Sequence, residues 1–248
     1  MNQPQIPLKV LLIGDNCIDE YHYGSVNRIN PEAPVPIFAF DHKDERPGMA
    51  ANVAENLKAL GCQVHAQLGS PSTKIRLIDS RSRQHITRID YDVYSNAINP
   101  EKGLDVDVVV ISDYNKGAVS EETILTALYN YQVPVIIDTK KTDLRQFEGC
   151  IVKINDIEYR NLKSKCANLI VTHGKDPVTF RDVNYTVPKQ EVVDVCGAGD
   201  TFLAAFAYQF ALTYNFDTAI NFAIRASSIT VQHIGVYAPT LEEINENQ

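Results

Sequence analysis

A chain of 248 residues with 22% charged and 44% hydrophobic residues has the composition of one large globular domain, or of one domain with a small appendage. Its net charge of −8 argues against a nucleic-acid partner, which calls for a basic face, and no apolar run reaches the length of a membrane span. The start, Met-Asn-Gln-Pro-Gln-Ile-Pro, lacks the features of a secretory signal, and five cysteines without Cys-x-x-Cys spacing are expected as reduced thiols in the cytoplasm.

Lys9-Val-Leu-Leu-Ile13 is a short apolar run that stops at Gly14-Asp15, as a buried parallel strand opening onto a site does. Polar residues just past such strand ends are where open α/β sheets bind ligands. Asp15 and Asn16 are therefore candidate ligand contacts, and equally good turn formers. The stretch 21–40 is aromatic-rich and broken by Pro31, Pro34 and Pro36, which excludes a helix and points to a sheet edge or turns. Gly48 opens a helix in which Val53, Leu57 and Leu60 fall at helical spacing and Gly61 is the stop. After Gly69 the chain passes almost directly to 73–78 and 84–90, which read as paired strands. Lys74, Arg76, Arg81, Arg83 and Arg88 gather positive charge there, as a solvated face or as a seat for an anion.

Further on, 106–111 is a strand ending at Ser112-Asp113-Tyr114, with Lys116 beyond it. A helix over 119–131, with Ile124, Leu125 and Leu128 on one face, leads to a strand over 133–137 that delivers Asp138, Thr139 and Lys140. This β–α–β order predicts a parallel sheet. A strand over 150–154 precedes Asn155-Asp-Ile-Glu158, which is good helix-start grammar. The next strand is 168–172, then a hairpin of 178–180 and 183–187, and last a helix over 219–232 rich in small residues and followed by Gly235.

The chain is organised around Glu191 to Ala207: an apolar strand (Val192, Val193, Val195), a turn with Gly197 and Gly199, and a helix opening near Asp200. The glycines let the backbone bend tightly and approach a ligand, and the free N–H groups of a helix start attract an anion. A carboxylate there suits phosphoryl transfer, with donors for the moving phosphate and Asp200 as base; it also suits a plain helix cap. P-loop, dinucleotide, nucleophile-elbow and zinc-protease motifs are absent from the sequence, and the six histidines show no metal spacing.

Asp194-Val-Cys-Gly-Ala-Gly-Asp200 resembles the second signature of the ribokinase-like (PfkB) carbohydrate kinases. Ile13-Gly-Asp-Asn16, Arg28-Ile-Asn-Pro-Glu-Ala-Pro-Val-Pro36, Glu45-Arg-Pro-Gly48 and Ala50-Ala-Asn-Val-Ala54 are similar to the kinase domain of bacterial ADP-heptose synthases, which phosphorylate a heptose 7-phosphate at its anomeric hydroxyl. Ser112-Asp-Tyr-Asn-Lys-Gly117 and Val133-Pro-Val-Ile-Ile-Asp-Thr-Lys140 fit the same branch.

The resemblance implies a ribokinase-like three-layer α/β/α sandwich over residues 1–248, with a small β lid from about 20–46 and 72–92. The chain is shortened against that pattern: a β–α–β unit of about thirty residues is missing after Gly69, and the helix after Glu158 is brief. The resemblance further implies ATP as donor, Mg²⁺, a sugar phosphate as acceptor and a homodimer formed through the lid, and it leaves room for a monovalent cation. Asp200 would be the base, with the Gly197, Ala198 and Gly199 amides at the phosphate. Asp15, Asn16, Arg28, Gly48, Asn52, Asp113, Lys116, Asp138 and Lys140 would serve the sugar phosphate. Asn155, Glu158, Thr172 and Gly174 would join Gly197 and Gly199 at the nucleotide, Glu158 reaching Mg²⁺ through water. Met49 and Pro177 replace glycines common in the family. Two further readings stay open: a kinase of another sugar or sugar phosphate, and a reduced, non-catalytic binding homologue. The nucleotidyltransferase domain fused to some relatives is not in this sequence, so a later step is expected to need a separate protein.

Overall fold

The computed structural model describes residues 7–246. Its centre is a sheet whose strands are buried on both faces. β1 (Lys9–Ile29) enters it first; β2 (Pro36–Met49) returns beside β1 and leads into α1 (Ala50–Ala59). β3 (Gln63–Asp79) and β4 (His85–Tyr91) follow, then β5 (Val108–Asp113), α2 (Glu121–Asn130), β6 (Val135–Thr139) and a 3-10 turn at Arg145–Phe147. β7 (Ile151–Asn155), α3 (Asp156–Arg160) and β8 (Leu169–His173) complete the parallel part. The hairpin β9 (Asp176–Phe180) and β10 (Val183–Tyr185) closes one edge, and α4 (Ala198–Thr213), α5 (Phe216–Thr230) and α6 (Leu241–Glu246) end the chain. The strand order is β10-β9-β8-β7-β6-β5-β1-β3-β4, with β2 paired to β1.

Alternation along the strands builds three layers. Val10, Leu12, Val108 and Val110 pack with α1, α4 and α5, while Leu11, Ile13, Val109 and Ile111 pack with α2 and Phe147 on the other face. With both faces covered, an unbroken apolar run is what the sheet interior demands. The three-layer sandwich expected from the sequence is the fold observed.

The lid grows out of the sheet itself. β1 pairs with β5 only from Val10 to Gly14, and with β2 from Asn16 onward, so it changes one neighbour at Asp15, where its pairing with β3 also shifts register. Beyond that point β1, β2, β3 and β4 form the lid. The strand foreseen over 9–13 is thus the first part of a 21-residue strand. β3 likewise runs from core to lid without interruption, through Gly69.

Two local expectations are corrected. Val192, Val193 and Val195 form no strand; they are exposed, and the Val193 and Asp194 N–H groups are held by the Val231 carbonyl instead of a strand neighbour. On α2, Leu125 faces outward while Thr123, Ile124 and Ala127 are buried. The Ser120 hydroxyl and Thr123 side chain cap that helix reciprocally, which fixes its phase.

Candidate active site

A cleft of about 1250 Å³ lies at the carboxyl ends of β5, β6, β7 and β8, facing the start of α4. This is where an open parallel sheet places a ligand site. Tyr114, Asp138, Lys140, Lys153, Asn155, Glu158, Thr172, Gly174, Ala198 and Gly199 line it.

Gly197 precedes α4 with φ of 78°, a left-handed conformation suited to glycine, and no side chain caps the helix. Asp200 is therefore not the cap. It lies in the first turn, 5% exposed, and its carboxylate accepts one hydrogen bond from Asn52 Nδ2 and one from the Tyr114 hydroxyl, each 2.8 Å long. Burial pushes its pKa up to about 6; Asn52, Tyr114 and the nearby Lys153 work against that rise, and Asp138 adds to it. A carboxylate so placed is ionised at neutral pH and close enough to neutrality to take a proton.

Lys153 stands beside it. Only 4% exposed, its ammonium lies 2.7 Å from Asp138, close to where a side chain on Gly199 would begin. Burial acts against this charge, but Asp138, Glu158 and Asp200 outweigh it and hold the ammonium above its ordinary range. Asp138 is itself pushed up by burial more than Lys153 pulls it down. We read the pair as charged, because three carboxylates surround one ammonium.

Lys140 pairs with Glu158 Oε1 at 2.7 Å. The other Glu158 oxygen accepts the Asn155 N–H, while Asn155 Oδ1 accepts the N–H groups of Ile157 and Glu158. Asn155 and Glu158 thus form the capping box of α3, and neither oxygen of Glu158 is free of a partner. Among the described residues no cluster of His, Cys, Asp and Glu suits a directly bound metal. That donor set fits a hydrated Mg²⁺ carried by phosphates and touched through water, since Mg²⁺ keeps several waters. Thr172 and Gly174 line the same cleft from the end of β8, Gly174 with φ of 64°.

Other residues singled out from sequence are committed elsewhere. The Asp15 carboxylate accepts the N–H groups of Tyr114, Lys116 and Ala118, so it folds the loop after β5. Asp113 accepts from Thr139, Lys141 and the Asn115 N–H. Lys116 pairs with Asp92 and lies over the Tyr94 ring. Asn16 is half-buried where β1 meets Met49. A side chain on Gly48 would collide with Asp19, so that glycine permits a close approach rather than a ligand contact. Arg28 is exposed at the far end of the lid, opposite Ile37, away from the cleft of its own chain.

Over residues 144–244 the sequence matches the pfkB family carbohydrate kinase model. That stretch, which holds the turn at Gly197 and Asp200, carries the likeness to PfkB carbohydrate kinases. It is 31% identical to the bifunctional protein HldE of Hydrogenovibrio crunogenus, a match over 96% of this chain and 62% of that protein. The chain thus spans about three fifths of the length of the curated relatives it matches. Ribokinase from Thermotoga maritima has a similar fold, with a TM-score of 0.71 and 17% identity over 98% of this chain and 99% of that one. Arabidopsis thaliana ribokinase, solved with ribose and ATP, gives a TM-score of 0.70 at 15% identity over 98% and 99%.

Two residues of the cleft were not singled out from sequence. Lys153 interrupts the apolar run Ile151-Val-Lys-Ile154, and a lone charge inside a buried strand needs a partner, which was the available signal. Tyr114 was read only as part of a motif; nothing local tells that its hydroxyl reaches Asp200 from another element. Among the described residues no helix is long and apolar enough to cross a membrane, and all five cysteines are unpaired.

Proposed function

We propose that the domain transfers the γ-phosphate of ATP to a hydroxyl of a sugar phosphate, with D-glycero-β-D-manno-heptose 7-phosphate as the acceptor. The observation that carries this reading is Asp200, a buried carboxylate with pKa pushed up to about 6, in the first turn after the glycine that opens α4. Asp200 takes the proton of the acceptor hydroxyl as its oxygen bonds to the γ-phosphorus; the bond to the β-phosphate oxygen breaks and ADP leaves. The amides of Gly197 and Gly199 and the Lys153 ammonium receive the charge on the moving group, the Ala198 N–H being held by the Val195 carbonyl at 3.3 Å. Glu158 would hold Mg²⁺ through water, and the ion would supply charge neutralisation at the nucleotide phosphates. Lys140 adds a cation at the cleft wall.

The heptose assignment is supported by the motifs of the N-terminal half and by the likeness to HldE across nearly the whole chain. The lid supports a homodimer: on the face turned away from Lys74, strand register sets Ile75, Ile89 and Tyr91 together, the last two exposed. Free thiols fit a reaction in the cytoplasm.

The test is ADP release across heptose 7-phosphate, other sugar phosphates and free sugars. Heptose 7-phosphate is expected to give the highest kcat/KM, and Asp200→Asn to lower kcat by about 10²–10⁴-fold with ATP affinity kept. An Asn variant with near wild-type turnover overturns the assignment of the base; a different best acceptor overturns the heptose.

A further inference from the structure

The Tyr114 side chain stands between the base and the cleft. It lines the cleft, whereas Asp200 lies behind it, buried. Its hydroxyl donates 2.8 Å to one Asp200 oxygen, while the other is held by Asn52. A sugar hydroxyl about to lose its proton must make this same kind of hydrogen bond to this same carboxylate. Two ammonium groups lie over the Tyr114 ring, Lys74 from lid strand β3 at 5.7 Å and Lys140 from the core at 5.0 Å. Lys140 also has Glu158, but the Lys74 ammonium makes no ion pair or hydrogen bond among the described residues. Asp15 holds the Tyr114 N–H, so the backbone is pinned and the side chain is the part able to turn.

We propose that the Tyr114 hydroxyl occupies the place of the acceptor hydroxyl and is displaced by the sugar phosphate, whose own phosphate takes over Lys74 and, with it, the lid. This inference rests on Asp200 being the base of a sugar kinase and adds what selects the acceptor. A neutral sugar can replace the phenol at Asp200 but offers Lys74 nothing in exchange for the ring. A phosphate dianion offers a charge-assisted hydrogen bond, which is stronger than the cation's contact with an aromatic face. Displacement therefore favours phosphorylated acceptors, and Tyr114 is a specificity-determining residue.

The test uses the difference between two pH profiles, because kcat/KM reports the free enzyme and kcat the complex. The charged and polar groups facing Asp200 are Asn52 from α1, Tyr114 after β5, Asp138 from β6 and Lys153 from β7. In Tyr114→Phe the free enzyme loses a donor that holds Asp200 down, so the acid limb of kcat/KM is expected about one pH unit higher. The limb of kcat is expected to stay in place, because in the complex the tyrosine has already left. KM for heptose 7-phosphate, or for whichever phosphorylated sugar ranks first, is expected to fall. Lys74→Met is expected to raise that KM about tenfold, the worth of one charge-assisted bond, with KM for ATP unchanged. Limbs that move together, or not at all, overturn the displacement, and an unchanged KM in Lys74→Met overturns the phosphate seat. Either result with an inactive Asp200→Asn leaves the kinase reading standing; an active Asp200→Asn removes that reading itself.

Discussion

Asn52 and Asp200, 148 positions apart in sequence, meet side chain to side chain at 2.8 Å, buried behind the cleft wall. Asn52 is carried by the first turn of α1 and Asp200 by the first turn of α4, so the packing of these two helices sets the environment of the Asp200 carboxylate. Asn52 is in turn fixed by Asn56, whose Nδ2 donates to its backbone carbonyl at 2.8 Å one turn later. Asn52→Leu removes a donor that favours the ionised carboxylate, and the Asp200 pKa is expected to climb further above about 6. Because Asn52 stays in place when the acceptor binds, the acid limbs of kcat and of kcat/KM are both expected to rise, by about one pH unit. Rates of ADP release between about pH 5.5 and 9, a range that brackets the expected limbs, measure this; limbs at their wild-type positions would refute the role of Asn52.

The same carboxylate lowers the stability of the fold. The folded-state pKa of Asp200 is raised, so its protonated form is favoured by folding; that contribution is complete below its unfolded value and is lost as pH rises through about 6. At neutral pH the ionised side chain therefore destabilises the fold by about 2–3 kcal/mol, since each tenfold change in proton affinity is worth about 1.4 kcal/mol. Asp200→Asn is expected to melt several degrees higher than the parent at about pH 8, with the gap narrowing steadily towards about pH 4. Thermal melts across that range give the answer. A gap independent of pH would show that burial of the charge is not its cause.

What the sequence disclosed follows from how local each signal is. The starts of β1 and β5 were legible because strands buried on both faces need unbroken apolar runs. The turn at Gly197 was legible because glycine followed by an acidic helix start has few other uses. The lid half of β1 was hidden by Asp15 and Asn16, whose polarity looks like a strand end although the chain stays extended through them. Asp15 and Asp113 also carry a signal that is degenerate by nature. A carboxylate at a strand end can bind a ligand or tie down a neighbouring loop, and only the position of the 113–118 amides decides between them. Val192, Val193 and Val195 have the apolar character of a strand but no strand to pair with, which no local pattern reveals.

Lys153 and Asp138 form a second pair at the cleft wall, Lys153 buried and Asp138 mostly so. Removing one member strands the other. Lys153→Met is expected to destabilise the fold by about 3–5 kcal/mol, because Asp138 is left buried without its cation. Replacing Asp138 by Asn in the same chain is expected to return most of that loss, while phosphoryl transfer stays absent in both variants. Urea unfolding of the two single variants and the double variant measures the coupling. Additive losses would mean that the two charges do not act as a pair.

Gly197 and Gly174 allow strain and contact to be separated. Both have positive φ, 78° and 64°, but a Cβ on Gly197 would lie 2.9 Å from Asn52 Nδ2 and 3.0 Å from Val236, whereas one on Gly174 meets nothing within 4 Å. Alanine at either position carries the left-handed backbone penalty of about 1–2 kcal/mol. Only Gly197→Ala also pushes on Asn52 and, through it, on the carboxylate of Asp200. Gly197→Ala is therefore expected to lose turnover as well as thermal stability, and to raise the acid limb of the rate profile as Asn52→Leu does. Gly174→Ala is expected to lose comparable stability and keep kcat within a few-fold of the parent. Melts and ADP release on the two variants compare these effects directly. Equal losses of turnover would assign the defect to backbone strain, and the link from the turn through Asn52 to the base would fall.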